Sequence, residues 1–261
     1  MFVPLRDENP TRRPPFVNYG LIVLNVAVFL YTWPLITSGG QWWIVPGYGL
    51  VPTRLVNDPL GEAFTILTSM FMHGGWGHLG SNMLFLYIFG DNMEDVLGHL
   101  RYLAFYLLSG LVAGLVQLGI DIGSTIPMVG ASGAIAGVVG GYMLLFPRAP
   151  IVALNTVPLL WFVMGIFPVI PAWLVAAEFF VVNLLQGVMS LGPGASSGGV
   201  AVFAHLGGFV AGLLLVRPLM GRRSLSSRGL WSGFKRGPDS RGGGAAPRWR
   251  RRGPRSTDQD D

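Results

Sequence analysis

The chain predicts an all-α, polytopic membrane protein of about six spans. Three observations carry that prediction. Of its 261 residues, 51% are hydrophobic and 12% are charged, about half the charge of a soluble domain. Its mean hydropathy is +0.52. Apolar runs of spanning length recur along it, divided by Gly, Pro and charged residues. The absence of cysteine excludes a disulfide framework and a thiolate metal site.

The elements follow in order. Residues 1–15 are polar, Pro-rich and basic, with Arg6, Arg12 and Arg13. They read as a cytoplasmic N-terminal arm with no cleavable signal. Span one is expected over Phe16 to Thr37. Gly39 to Ala63 is a long connection rich in Trp, Gly and Pro, and Phe64 to Met72 is too short to span, so it dips into the interface. Span two starts near His78 and ends near Asp91 to Leu97. Span three covers Arg101 to Ile120, span four runs from Ser132 to Phe146, and span six covers Val200 to Val216.

The stretch Ile151 to Gln186 is apolar almost throughout and has room for one span or two. Parity decides. If Ser132 and His205 each open a descending helix at the same depth, a single ascending span lies between them. Pro158, Pro168 and Pro171 break the first half. Ala172 to Gly192 is therefore span five, and Ile151 to Ile170 is an interfacial or re-entrant segment.

Charge orients the bundle. Arg6, Arg12, Arg13, Arg101, Arg148 and the C-terminal basic cluster fall on one side, and only Arg54 falls on the other. The positive-inside rule then puts both termini in the cytoplasm and Ser132 and His205 toward the external leaflet. The membrane domain is 16–217. Residues 218–261 form a basic tail, rich in Arg, Gly, Ser and Pro, that cannot bury a core and is expected to be disordered. Its expected partner is the anionic surface of the lipid bilayer, not nucleic acid.

Four residues are candidates for chemistry. Ser132, in Gly130-Ala131-Ser132-Gly133, opens a helix whose free N–H groups and dipole favour a developing anion. Gly133, Gly137 and Gly141 recur every four residues on that helix, and Gly208 and Gly212 do the same after His205. Two such smooth faces can pack closely, with serine and histidine at one end. His78 and Asn82, at i and i+4, share a face of span two and together suit an oxyanion. Asp91, Glu94 and Asp95 lie about 20 Å further along that span at 1.5 Å per residue, too far to complete a triad. Glu178, an acid inside span five, is expected to make a structural pairing. A two-residue dyad is the better reading.

These residues resemble a family. Phe71-Met72-His73, His78-Leu79, Asn82-Met83, Gly90, Glu94 and Gly98 look like the second span of rhomboid intramembrane serine proteases of the bacterial type. Gly130-Ala131-Ser132-Gly133 and Ala204-His205 with Gly208 look like that family's nucleophile and base motifs. The resemblance covers residues 16–217. It implies a six-transmembrane-helix bundle, with serine and histidine in a water-accessible cavity. It implies a multi-pass protein of the plasma membrane, in bacteria the inner membrane. By position Ser132 would be the nucleophile, His205 the general base, and His78, Asn82 and the Ser132 N–H the oxyanion hole. His73 matches a structural histidine. The implied substrates are single-pass transmembrane proteins, cut near the external end of the helix with no metal or cofactor. Two positions depart from the pattern. Ala136 stands where many members stack an aromatic ring on the histidine, and Trp42-Trp43 lacks a neighbouring arginine, Arg54 being remote. Two rival readings remain: a catalytically inactive rhomboid-like protein that binds membrane helices, and a transporter or channel.

Overall fold

The computed structural model describes residues 1–38, 40–41, 43–190 and 202–220. Trp42 and the expected tail from residue 221 onward lie outside them. The described chain is mostly helical. The long helices are α1 (Phe16–Thr37), α6 (Trp76–Leu97), α7 (His99–Ile120), α8 (Ser132–Leu145), α10 (Ala172–Ser190) and α11 (Val202–Leu219). Each matches an expected span. Short helices α2 (Ile44–Tyr48), α3 (Pro52–Asn57), α4 (Pro59–Glu62) and α5 (Phe64–Thr68) fold the connection between α1 and α6.

Among the described residues, α1, α7, α10 and α11 are long and apolar enough to cross a membrane. Helix α6 is as long as α1, but it carries Asp91, Glu94 and Asp95. Helix α8 has 14 residues, about 21 Å. It lies at the centre of the bundle, packed by α6, α7 and α11. Every residue from Gly133 to Tyr142 is buried. A helix hydrophobic on all sides belongs in the middle of such a bundle.

Glycine sets the tightest contact. A Cβ on Gly208 would stand 1.9 Å from the Gly133 carbonyl oxygen, and one on Gly212 would stand 2.0 Å from that of Gly137. The two glycine faces thus meet backbone to backbone, as the spacing predicts. The third position differs: Gly140, not Gly141, meets the α11 backbone at Phe209, while Gly141 is walled by Met93 and Phe105.

The end of the bundle away from Ser132 is fastened by buried polar groups. Glu94 accepts from the N–H groups of Val17 (3.0 Å) and Asn18 (2.7 Å), so it caps the first turn of α1. Asn18 donates to the Leu86 carbonyl and accepts from the Tyr102 hydroxyl. The distant carboxylate of span two is a structural anchor, consistent with its exclusion from a triad.

One expectation is corrected: the fold is not purely helical, and the N-terminal arm contributes a strand. Strands β1 (Phe2–Asp7), β2 (Pro150–Asn155) and β3 (Val169–Pro171) form an antiparallel sheet in the order β1-β2-β3. The β1 strand packs against α6 and α10. Its carboxylate Asp7 accepts from Tyr142 (2.7 Å) and Asn92 (2.9 Å), and the Phe2 N–H donates to Glu178 at 2.9 Å. Glu178 therefore makes the structural pairing expected of it. The segment 151–170 is not a span. It is a β2–β3 excursion carrying a 3-10 turn and the one-turn helix α9 (Trp161–Met164). Prolines 158, 168 and 171 stop helix propagation there. Its tip exposes Leu159, Phe162 and Val163, the apolar surface an interfacial segment presents.

Candidate active site

The first turn of α8 lies against the start of α11, because Gly208 carries no side chain where it meets the Gly133 carbonyl oxygen. Ser132 is the first residue of α8, so its N–H has no acceptor within the helix. The start of α11 is held by the Ala204 N–H, which donates to Gln117 of α7 at 3.2 Å. His205 follows, and its Nε2 lies 2.7 Å from Ser132 Oγ. That is hydrogen-bond length for a hydroxyl and an imidazole.

The other ring nitrogen meets α10. His205 Nδ1 lies 2.6 Å from Asn183 Oδ1. The Phe179 ring, one turn earlier, stands 6.0 Å from the imidazole centroid and is tilted 43° to it. Ala136, where an aromatic was the expected support, is buried in the bundle. The support comes instead from α10, which supplies both an amide and a ring. Sequence reasoning did not single out Asn183 or Phe179. The available signal was an amide and an aromatic four residues apart on one face of an apolar span.

Ser132, His205, Asn183, His78 and Asn82 line one cavity of about 670 Å³. Asn82 is buried, and its Nδ2 has no hydrogen-bond partner among the described residues. A buried donor without an acceptor costs free energy unless something arrives to use it. His78 Nδ1 accepts from the Gly74 N–H at 3.4 Å, which leaves the proton of the neutral ring on Nε2. That Nε2 faces Gly130: a Cβ there would stand 2.7 Å from it and 3.5 Å from Ser132 Oγ. Gly130 also has φ +129°, a conformation that favours glycine. A side chain at this position would fill the space between the two groups. Its N–H donates to the Ser69 carbonyl at 2.8 Å, which ties the segment before α8 to the short helices. His73 packs edge-on against His78 at 5.1 Å. Burial, with His78 beside it, pushes His73 down to about 4. It is a neutral packing partner at physiological pH, as its structural assignment requires.

Four sequence-predicted residues thus share one cavity, and two of them are in direct contact. The acids Asp91, Glu94 and Asp95 lie at the opposite end of α6. The His205 Nδ1 meets the Asn183 amide, not a carboxylate. No group of three His, Cys, Asp or Glu among the described residues is arranged to hold a metal ion.

The region that holds this cavity is similar to known proteins. The rhomboid domain model matches residues 60–222, which include all five cavity residues named above. Rhomboid protein 1 of Saccharomyces cerevisiae mitochondria is 34% identical over 142 residues, covering 53% of this chain and 39% of that protein. Rhomboid-type serine protease 2 of Emericella nidulans is 33% identical over 153 residues, covering 58% of this chain and 26% of the relative. Rhomboid protease GluP of Bacillus subtilis is 30% identical over 131 residues, covering 49% and 24%. The chain therefore spans between a quarter and two fifths of these relatives. They are fungal and bacterial, and a chloroplast protein of Arabidopsis thaliana also matches, so the likeness is to the family as a whole and not to its bacterial type. With apolar helices of spanning length and a rhomboid domain over more than half its length, the chain is a membrane protein and belongs to the rhomboid family.

Proposed function

We propose that the protein is an intramembrane serine endopeptidase that cuts transmembrane-helix substrates through Ser132 and His205. The observation that carries this reading is the 2.7 Å contact between Ser132 Oγ and His205 Nε2 at the wall of a cavity. His205 takes the hydroxyl proton as Oγ attacks a peptide carbonyl carbon. The oxyanion so formed accepts from Asn82 Nδ2, His78 Nε2 and the Ser132 N–H. The C–N bond then breaks, and His205 returns its proton to the leaving amine. Water attacks the ester with His205 again as base, which frees Ser132 and the new carboxylate.

Helices α6 and α8 complete a six-span bundle with α1, α7, α10 and α11, and both termini are cytoplasmic. The asymmetry of arginine supports that orientation. It places the dyad in the external leaflet of the plasma membrane, where water reaches the cavity. Substrates are single-pass proteins whose helix unwinds readily near that face, because an intact helical backbone shields its carbonyls. The protein needs no cofactor for this chemistry.

A fluorophosphonate probe tests the reading, since it labels an activated serine. Wild-type protein in detergent or liposomes is expected to label and to cut a fluorogenic transmembrane substrate, and Ser132→Ala to do neither. Equal signals from the two proteins would refute the protease and leave an inactive helix-binding rhomboid.

A further inference from the structure

We propose that Asn183 is the positioning residue of the dyad, fixing the tautomer and the tilt of His205. This rests on the protease reading only for its consequence in rate; the tautomer itself does not depend on it. The amide of Asn183 can be oriented without ambiguity. Its Nδ2 lies 2.7 Å from the Phe179 carbonyl oxygen, which can only accept, so the nitrogen faces that carbonyl and Oδ1 faces the imidazole. Oδ1 likewise can only accept. The 2.6 Å contact with His205 Nδ1 therefore requires the proton on Nδ1. In the neutral ring this leaves the lone pair on Nε2, 2.7 Å from Ser132 Oγ. The hydrogen bonds run in one direction: Ser132 O–H to Nε2, Nδ1–H to Asn183, and Asn183 N–H to Phe179.

The surroundings make this contact the one that holds the ring. Ala136 has no side-chain surface to stack on the imidazole. Phe179 touches its face at a tilt but carries no acceptor. Asn183 is 7% exposed, so water competes poorly for either end of its amide. An amide also differs from a carboxylate in staying uncharged. It orients the ring and receives the Nδ1–H of the imidazolium as a dipole, without burying a second ionised group in an apolar span. A charged third member would have to be desolvated there, and α10 offers none at that height.

The test separates tautomer from activity. The chain has four histidines, so ¹⁵N-histidine labelling gives a resolvable spectrum, with His205 assigned by its loss in His205→Gln. Wild type is expected to show His205 as the Nδ1–H tautomer. Asn183→Leu, which keeps the volume and removes the acceptor, is expected to shift the ring to Nε2–H or to a mixture. Its kcat is expected to fall about 10- to 100-fold with KM little changed, as for loss of one hydrogen bond to a group that becomes charged. Asn183→Asp retains an oxygen acceptor and is expected to recover the tautomer and most of the rate. If Asn183→Leu does not fold, the wild-type and Asn183→Asp spectra still decide. An Nε2–H ring in wild type, or the same tautomer in wild type and Asn183→Leu, overturns the proposal. A wild-type protein with the expected tautomer but no probe labelling would overturn the protease reading and leave the positioning contact standing.

Discussion

Gly208→Ala is the sharpest probe of how this bundle makes its site. The added Cβ would lie 1.9 Å from the Gly133 carbonyl oxygen, and a carbon–oxygen contact needs about 3.3 Å. The two helices must separate by about 1.4 Å if they move directly apart. Ser132 adjoins Gly133, and His205 is one turn from Gly208. The same displacement takes the Ser132–His205 contact from 2.7 Å to about 4 Å, beyond hydrogen-bond reach. A misplacement of about 1 Å costs on the order of 100-fold in rate, and overpacking costs about 1–3 kcal/mol in stability. Gly20→Ala is the control. It lies on α1 with nothing within 4 Å of the new methyl, so it carries the same gain in helix propensity without the clash. Fluorophosphonate labelling rate and Tm in detergent are measured for both. Gly208→Ala is expected to label about 100-fold more slowly and to melt earlier, with Gly20→Ala matching wild type. A Gly208→Ala protein that labels and melts like wild type would refute the claim that glycine contact sets the dyad distance.

Three further outcomes follow from the same geometry. Asn82→Leu removes an unpartnered donor from the cavity wall, and is expected to lower kcat by about 100- to 1,000-fold with KM little changed; steady-state kinetics check it, and a change in KM alone would count against the oxyanion role. Burial, with Asp91 adding to it, pushes the Asp7 carboxyl from 3.8 up to about 7. The folded protein then holds a proton there that the unfolded chain releases near 3.8. The stabilisation is full below that value and is lost as pH rises to about 7. The Tm of wild type is expected to fall across that window relative to Asp7→Asn, and parallel curves would disprove it. Glu94→Leu leaves the Val17 and Asn18 N–H groups without their acceptor, and is expected to destabilise by at least about 2 kcal/mol, read as a lowered Tm.

Much of this was legible in the chain. The limits of α1 agree with its apolar run to the residue, and those of α10 closely. Ser132 was expected to open a helix and does. The match between the Gly133 and Gly208 faces was readable because glycine spacing records close approach directly. The N-terminal arm was not legible. Its polar, Pro-rich composition is that of an exposed tail, and nothing local marks Phe2–Asp7 as a strand. It becomes one because β2 offers a strand edge, Glu178 accepts the Phe2 N–H, and Asn92 and Tyr142 donate to Asp7. Residues 151–170 were legible as a segment that is not a span, from their prolines, but not as strands, because an apolar run carries no period that separates strand from buried helix.

The sequence by itself determined the membrane class, the order of the long helices, and the serine, histidines and asparagine that line the cavity. Those are properties of composition, period and short motifs, which act over a few residues. Only the tertiary structure decided what holds His205. Asn183 is 22 residues away from it and Ser132 is 73, and an amide in an apolar span has no local pattern that names its partner. The Ala136 position showed that an expected support was missing. Packing of α10 against α11 supplied its replacement, because it brings the Asn183 amide oxygen to within 2.6 Å of His205 Nδ1.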